Sequence, residues 1–557
     1  MNNGTNGTAI PLSDEQVRRF VADGYLILRP SLPRELHESI RRRLDESIPD
    51  RKGNPGNNIL PLVPEMRHVL KSPEVSGALQ TLLGPDYLEH PHRFCHVEEP
   101  PEDPGLDRPD MDRRAKLAAN CHQDSYTPLA RPRHHHIRYA RVMYYPQDTP
   151  ESLGPTHVIP GTHLNTTLSE AERARPLPVA GPAGTVSITH FDVGHAAGIN
   201  LTGQRRFMVK FIYQRASLPR ADGRAGPEHR WSDPERYGGD RMSLAWSHLW
   251  DWLRGAGDRY ASLRNGALPH REPRVGVGAL VSALEHDRPD ADRVAAAETL
   301  ATLAGDAAPA TSALMSCLNR RPDPVRVAAV YALGAIGEPA GSALIDSLRG
   351  RGDAASMMRT RMAEQHRRHG SIETALRLDD AAYALCAIGT AALHPLLDLL
   401  EGGDGWARMN AAFALGEMDR QALAAVPALI DALDDPSHLV VRTVADALGA
   451  IGAPEAAAPL GALFRLKRPA WEEAEMRTWS VRDQVRVNAA TALARLGPAA
   501  SPAQDELIHA LDDRCGQVAT YAVEALRRIG SPAALDAAIG LLTAERWDPS
   551  ITPANEF

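Results

Sequence analysis

Apolar positions follow two different rhythms along the chain. Up to about residue 270, short runs of β-branched and aromatic residues alternate with Pro- and Gly-rich turns. Beyond it, Ala and Leu recur at the three- and four-residue spacing of helices. The first half opens with Ser13-Asp14-Glu15-Gln16, a capping box before "VRRFVADGY", and Gly24 ends that helix. "YLILRP" then reads as a strand, and a second helix after Pro33 sets Leu36, Ile40, Arg43 and Leu44 in amphipathic order. The stretches "HRFCHVEE", "LAANCHQD", "HHIRYARVMYYP", "THVIP", "GTVSITHF" and "RRFMVKFIYQR" read as strands. Helices followed by many short strands predict a barrel or jelly roll with helical cover.

The second half repeats. "VAAAETLATLAG" from Val294 is followed by "VRVAAVYALGAIG" from Val325, "DDAAYALCAIG" from Asp379 and "ARMNAAFALGEM" from Ala407. "VVRTVADALGAIG" from Val440, "VRVNAATALARLG" from Val485 and "VATYAVEALRRIG" from Val518 complete the set. Gly337, Gly389, Gly452, Gly497 and Gly530 stand where a helix C-cap is expected. Gly497 and Gly530 lie 33 positions apart, the length of one helix pair. The pattern predicts an α-solenoid, and its motif resembles HEAT repeats of the short bacterial kind over about residues 270–545. Two insertions, 351–377 and 464–484, interrupt the period as long inter-repeat loops or partner contacts. Between the halves, Trp246, Trp250 and Leu253 form one helical stripe, an expected core or inter-domain plug. The loop at 218–239 before it is a candidate lid.

Composition narrows the class. The chain has 557 residues, too many for one core, with 43% apolar and 24% charged residues, as in ordinary soluble proteins. A net charge of −8 gives no support for nucleic-acid or anionic-membrane binding. No uninterrupted apolar run approaches membrane-spanning length. The five scattered cysteines are expected to be reduced, and the opening residues lack a secretion-signal pattern, so a cytoplasmic location is expected.

The candidate chemistry lies in the first half. His122-Gln123-Asp124 is a His-x-Asp pair; "LGPTHVIPGTH" is a tight loop with two histidines; "HFDVGHAAGIN" puts His195 after an apolar strand; and Arg206 follows eleven positions later. Together these stretches resemble the phytanoyl-CoA dioxygenase family of iron(II)/2-oxoglutarate oxygenases, over residues 13–215. The resemblance implies a double-stranded β-helix, a jelly roll of cupin-like form. It implies His122, Asp124 and His195 as iron ligands, and Arg206 as partner of the distal carboxylate of 2-oxoglutarate. A 2-His-1-carboxylate triad leaves open positions on a ferrous ion for the 2-oxo acid and dioxygen, and a guanidinium suits a carboxylate at fixed distance. Asp124 favours hydroxylation or desaturation, because related halogenases lack this carboxylate.

Other residues carry weaker expectations. Arg205 is the rival of Arg206, and Lys210 shares the parity of Arg206. Tyr139 and Arg141, on one face of a strand, and Thr156, in the turn, are candidates for contact with the cosubstrate. His134, His135 and His136 are expected at a solvated strand entrance. His163, Gln123 and Asn200 are expected to be structural, and His190 is set aside in favour of His195.

The expected organisation is multidomain α+β. It comprises a flexible leader at 1–12, the oxygenase jelly roll with flanking helices at 13–218, and a loop and Trp-rich linker at 219–269. An all-α HEAT solenoid at 270–545 and a tail at 546–557 follow. The expected activity is oxidation of a C–H bond of a small-molecule substrate using Fe(II), 2-oxoglutarate and O2, releasing succinate and CO2. The alternatives are a solenoid scaffold that recruits a carrier protein or peptide, or a non-catalytic interaction protein; self-association through the repeats is also open.

Overall fold

The computed structural model describes residues 8–49, 54–102, 110–124, 133–220, 229–235, 241–264, 275–320, 323–354, 357, 378–472, 475–476 and 479–545. In the first half, two sheets build a jelly roll. The larger has five strands in the order β1-β6-β3-β8-β2, and the smaller has the order β5-β4-β7. These are β1 (Tyr25–Leu28), β2 (Leu88–Glu98), β3 (Tyr139–Tyr144), β4 (Thr156–Ile159), β5 (Leu177–Pro178), β6 (Val186–His190), β7 (Gly194–Ala197) and β8 (Arg206–Gln214). Neighbours pair antiparallel throughout, as expected for the cupin-like class. The helix Asp14–Asp23 begins on the expected capping box at Ser13 and ends at Gly24, which has φ 78°. The helix Arg34–Ser47 buries His37, Ile40 and Leu44.

Two sequence expectations fail here. The "LAAN" run ends a helix, Asp110–Asn120, rather than forming a strand. Met, Arg, Ala, Lys and Leu are good helix formers, and propensity decides where one sheet contact is available. That contact is a single antiparallel bridge between His122 and His195. In the expected leader, Leu12 is buried, and Ile10 N–H donates to the Pro73 carbonyl at 2.9 Å.

The second half is helical, and each quoted repeat is a helix: Asp290–Leu303, Asp323–Ile336, Asp380–Ile388, Gly405–Glu417, His438–Ile451, Val481–Leu496 and Gly516–Ile529. The five expected C-cap glycines all have positive φ. One stretch, Asp380–Gly402, is apolar and long enough to cross a membrane by length and composition. Gly389, at φ 77°, breaks it into two helices of one repeat, Asp380–Ile388 and Leu393–Gly402. The insertion at 351–377 lies mostly outside the described residues, and so do 221–228 and 236–240 of the expected lid. From the insertion at 464–484, Trp471 is buried and donates its indole N–H to the Pro436 carbonyl at 3.1 Å.

The jelly roll rests on the solenoid. The Trp-rich helix Ser243–Leu253 is buried at every position but Leu253. Its Trp246 and Trp250 lie about 6 Å from the ring of Trp231, itself part of the expected lid loop. The histidine triplet is the centre of this contact, which corrects its expected place at a solvated entrance. His134, His135 and His136 are buried in an irregular segment before β3 that bends at His135 and His136. Nδ1 of His134 lies 3.0 Å from Glu417 Oε1, and Nδ1 of His136 lies 2.8 Å from Oε2. His135 stacks on Tyr383 at 4.2 Å and 17°, with Nδ1 3.0 Å from the Tyr331 hydroxyl. Arg138 adds ion pairs to Glu417 at 3.1 Å and Asp419 at 2.6 Å. Further along, Thr166 donates to Asp323, and Arg326 donates to the Leu164 carbonyl.

Candidate active site

Sheet geometry brings the His-x-Asp pair to His195. His122 and His195 exchange both backbone hydrogen bonds, at 2.9 and 2.8 Å. Residues paired in this way project their side chains to the same face. The two rings lie 4.4 Å apart. Asp124, two residues on, sets Oδ1 3.7 Å from His122 Nε2 and Oδ2 3.7 Å from His195 Nε2. One donor atom from each of the three falls within 4.8 Å of the others, close enough to share one metal ion.

The charge states suit metal binding. Burial pushes the Asp124 carboxyl up, but Arg141, Lys210 and the two histidines hold it well below the usual carboxylate range. Burial, then Arg141 and His122, push His195 well below its ordinary value. A carboxylate and a neutral imidazole are the forms that ligate. His195 Nδ1 lies 3.1 Å from the Val193 carbonyl, which accepts its N–H and leaves Nε2 to face Asp124.

These residues open into a cavity of about 380 Å³ that Arg141, Thr156, Arg206 and Lys210 also line. Arg206 is 2% exposed, and among the described residues its Nε and Nη1 have no hydrogen-bond partner. A buried guanidinium without a carboxylate is costly, and this one faces the cavity that holds the triad. The donor set and this orphaned cation fit a divalent metal and a dicarboxylate. Thr156 reaches the lining because β4 pairs with β7: Thr156 stands opposite Ala197, and Val158 opposite His195.

Arg141 is bound to the triad itself. Its Nη2 lies 2.7 Å from Asp124 Oδ2 and donates to the Phe191 carbonyl at 2.8 Å. Its Nη1 is 3.4 Å from both ring nitrogens of His195. Nδ1 carries the proton donated to Val193 and offers no lone pair, and one position equidistant from both nitrogens is not a hydrogen bond to either, so this is a cation lying against the ring. Tyr139 does not line the cavity. It shares a face with Arg141, but its hydroxyl lies 3.5 Å from Arg495 Nη2 of the solenoid.

The remaining candidates separate cleanly. Arg205 points away from Arg206, into ion pairs with Asp45 at 2.8 Å and Glu99 at 3.0 Å. His163 Nε2 contacts the Val21 carbonyl at 3.1 Å. Gln123 donates to the carbonyls of Thr162, Asn165 and Asp192. Asn200 holds the loop before β8, donating to Gln204 O and accepting from Thr202 N–H. His190 lies at the end of β6, 5.0 Å from the ring of His163. Sequence reading missed Tyr145, whose buried hydroxyl accepts from Thr156 N–H at 3.0 Å. It also missed His96 in the lining; its signal was alternation with Phe94 along β2.

Residues 20–208 match the family model described as phytanoyl-CoA dioxygenase. Residues 393–476 match HEAT repeats, and 325–350 and 485–513 match the PBS lyase HEAT-like repeat. Comparison with curated proteins gives no match. Among solved structures, one similar chain is the non-heme alpha ketoglutarate dependent carbocyclase SnoK from nogalamycin biosynthesis. It has 22% identity over 42% of this chain and 98% of that one, with TM-score 0.29. EctD from S. alaskensis, solved with 2-oxoglutarate and 5-hydroxyectoine, has 17% identity over 39% and 79%, with TM-score 0.30. The non-heme monooxygenase ThoJ in its nickel complex has 18% identity over 37% and 78%, with TM-score 0.26.

Proposed function

We propose that this chain, a non-heme iron and 2-oxoglutarate oxygenase with HEAT repeats, hydroxylates a C–H bond of a small molecule in the jelly-roll cavity. Succinate and CO2 are the co-products. In this reading His122, Asp124 and His195 hold the ferrous ion, and Arg206 pairs with the distal carboxylate of 2-oxoglutarate. The observation that carries it is the orphaned Arg206 guanidinium in the same cavity as the triad. Bound iron and cosubstrate supply the oxidising power for C–H cleavage. The protein's part is orientation. Arg141 fixes the Asp124 carboxylate, the Val193 carbonyl fixes the His195 ring, and Tyr145 tethers the backbone of Thr156. Asp124 would supply the carboxylate ligand that related halogenases lack, which favours hydroxylation over halogenation.

The test is an anaerobic visible spectrum of the full chain with ferrous iron and 2-oxoglutarate. Chelation of the keto acid gives a weak charge-transfer band, expected in wild type and absent in His122→Ala. A wild type that binds no iron and shows no band sinks the reading. Recruitment of a carrier protein by the repeats is the second reading, supported by the presence of HEAT repeats. Helices of six repeats, from Asp323–Ile336 to Gly516–Ile529, already contact the jelly roll or its linker through residues such as Tyr331, Tyr383, Glu417, Asp446, Arg495 and Tyr521. A carrier would therefore use another face of the array.

A further inference from the structure

Among the described residues, three arginine and lysine side chains line the active-site cavity: Arg141, Arg206 and Lys210. Arg141 is paired with Asp124. Arg206, under the reading above, takes the distal carboxylate of the cosubstrate. Lys210 is left over. It sits in β8, a strand flanked on both sides by β3 and β2, opposite Met143 on one side and Phe94 on the other. Asp124 acts on it only at a distance: among the described residues no carboxylate comes within 4.0 Å of its ammonium. The other carboxylate of the lining, Glu98, stands opposite Arg206 at the far end of the β2–β8 pair and has its own partner.

Lys210 is only partly buried, so its ammonium is open to the cavity and can be completed by an anionic ligand there. One cosubstrate cannot serve both free cations. Arg206 and Lys210 are four residues apart, so their Cα atoms are separated by about 13 Å along the strand. The distal carboxylate of one small dicarboxylate reaches only one of them, and its other end belongs to the metal. Lys210 also lies toward the solenoid. The next inward positions, Ile212 with Arg141 and Gln214 with Tyr139, lead to Tyr521 and Arg495 of the repeats. His96, on the same wall, is pushed down to about 3 by burial and then by Lys210, so it is a neutral hydrogen-bonding group there.

We propose that Lys210 anchors a negatively charged group of the organic substrate, a carboxylate or a phosphate, at the solenoid end of the cavity. The assignment rests on Arg206 belonging to the cosubstrate. The enzyme then acts on an anionic small molecule whose apolar part lies along Met143, Met208 and Phe94, with the oxidised carbon at the triad.

The full-length protein is loaded anaerobically with ferrous iron and 2-oxoglutarate and titrated calorimetrically with 3-phenylpropionate, 3-phenylpropionamide and phenyl phosphate. Wild type is expected to bind the better anion about 10-fold tighter than the neutral amide, the size of one charge-assisted hydrogen bond. Lys210→Met is expected to bring that ratio to about 1, and Lys210→Arg to keep most of it. The Kd for 2-oxoglutarate, read from the charge-transfer band, is expected to stay within about twofold in Lys210→Met. Phosphate bound tighter than carboxylate, or the reverse, identifies the group. Failure of both anions to bind wild type, binding of both no tighter than the amide, or a preference that survives Lys210→Met overturns the proposal. So does a large loss of 2-oxoglutarate affinity in Lys210→Met, which would put Lys210 in the cosubstrate site. Unchanged cosubstrate binding in Arg206→Met instead removes the reading beneath it, and is scored separately.

Discussion

The Arg138 guanidinium lies 2.6 Å from the carboxylate of Asp419, a residue that stands where five other repeats end in glycine. Asp419 has φ 60°, the left-handed region that side chains avoid. The same carboxylate accepts from the Trp252 indole at 3.0 Å and pairs with Arg259 at 3.4 Å. Two of the seven repeats lack glycine there, carrying Ala304 and Asp419 at positive φ instead, and the departure at Asp419 is where the jelly-roll half docks. Backbone strain of about 1–2 kcal/mol is offset by a buried set of charges.

Separating strain from pairing needs two substitutions. Asp419→Ala loses the ion pairs and keeps the strain, so it is expected to destabilise by about 3–5 kcal/mol. Asp419→Gly loses the pairs and relieves the strain, so it should be less harmful by about 1 kcal/mol. Urea denaturation of the full chain reads both. If Ala matches wild type, the dock contributes nothing to folding.

Removal of the solenoid is a stronger test of the same contact. In a fragment of residues 1–265, the buried edges of His134, His135, His136, Arg138 and Trp252 would face water. That fragment is expected to bind a hydrophobic dye and to unfold without a sharp transition. A monomeric fragment with a cooperative calorimetric peak and full cosubstrate binding contradicts this.

His-x-Asp alone is a common pair, and the family resemblance is what pointed to His122, Asp124 and His195 together; the fold brings their donor atoms within 4.8 Å of one another. The solenoid was legible from its period. The histidine triplet was not. A polar run before a strand looks the same whether it meets water or another domain, and only the partners Glu417, Tyr331 and Tyr383, some two hundred to nearly three hundred positions away, decide. Tyr139 was misassigned for a related reason. Strand parity gives the face, but the solenoid takes the end of that face where Tyr139 lies.

Buried neutral histidines predict a steep acid limb in stability. Burial pushes His135 and His248 well below their ordinary value and His163 to about 3. These groups take up protons in the unfolded chain below about pH 6.5 and do not in the folded one. Stability is thus full above that pH and falls as pH drops toward the folded values. Each such group contributes a slope of up to about 1.4 kcal/mol per pH unit. Glu417 adds to the fall only below about pH 4.5, since burial is outweighed by Arg138 and the two histidines, which hold it well below its ordinary value. Thermal melts from pH 8 to 5 should show a falling midpoint that begins near 6.5, with a shallower slope in His135→Gln. A flat profile across that range rules the histidines out as its cause.

Arg205 and Arg206 make the last prediction, because neighbours on opposite faces should respond in opposite ways. Arg205 holds two partly exposed ion pairs, so Arg205→Ala should cost at most about 1 kcal/mol of stability and leave 2-oxoglutarate binding unchanged. Arg206 is a buried cation whose Nε and Nη1 lack partners among the described residues. Arg206→Met should abolish tight cosubstrate binding, a loss of about 2–5 kcal/mol. It should also stabilise the ligand-free protein by roughly 1–4 kcal/mol, because it removes an uncompensated buried charge. Urea melts with and without saturating 2-oxoglutarate and ferrous iron separate the two effects: wild type should gain stability from the ligands, and Arg206→Met should not. A variant that is both destabilised when free and still stabilised by 2-oxoglutarate would mean that Arg206 is a structural residue and that the cosubstrate is held elsewhere in the cavity.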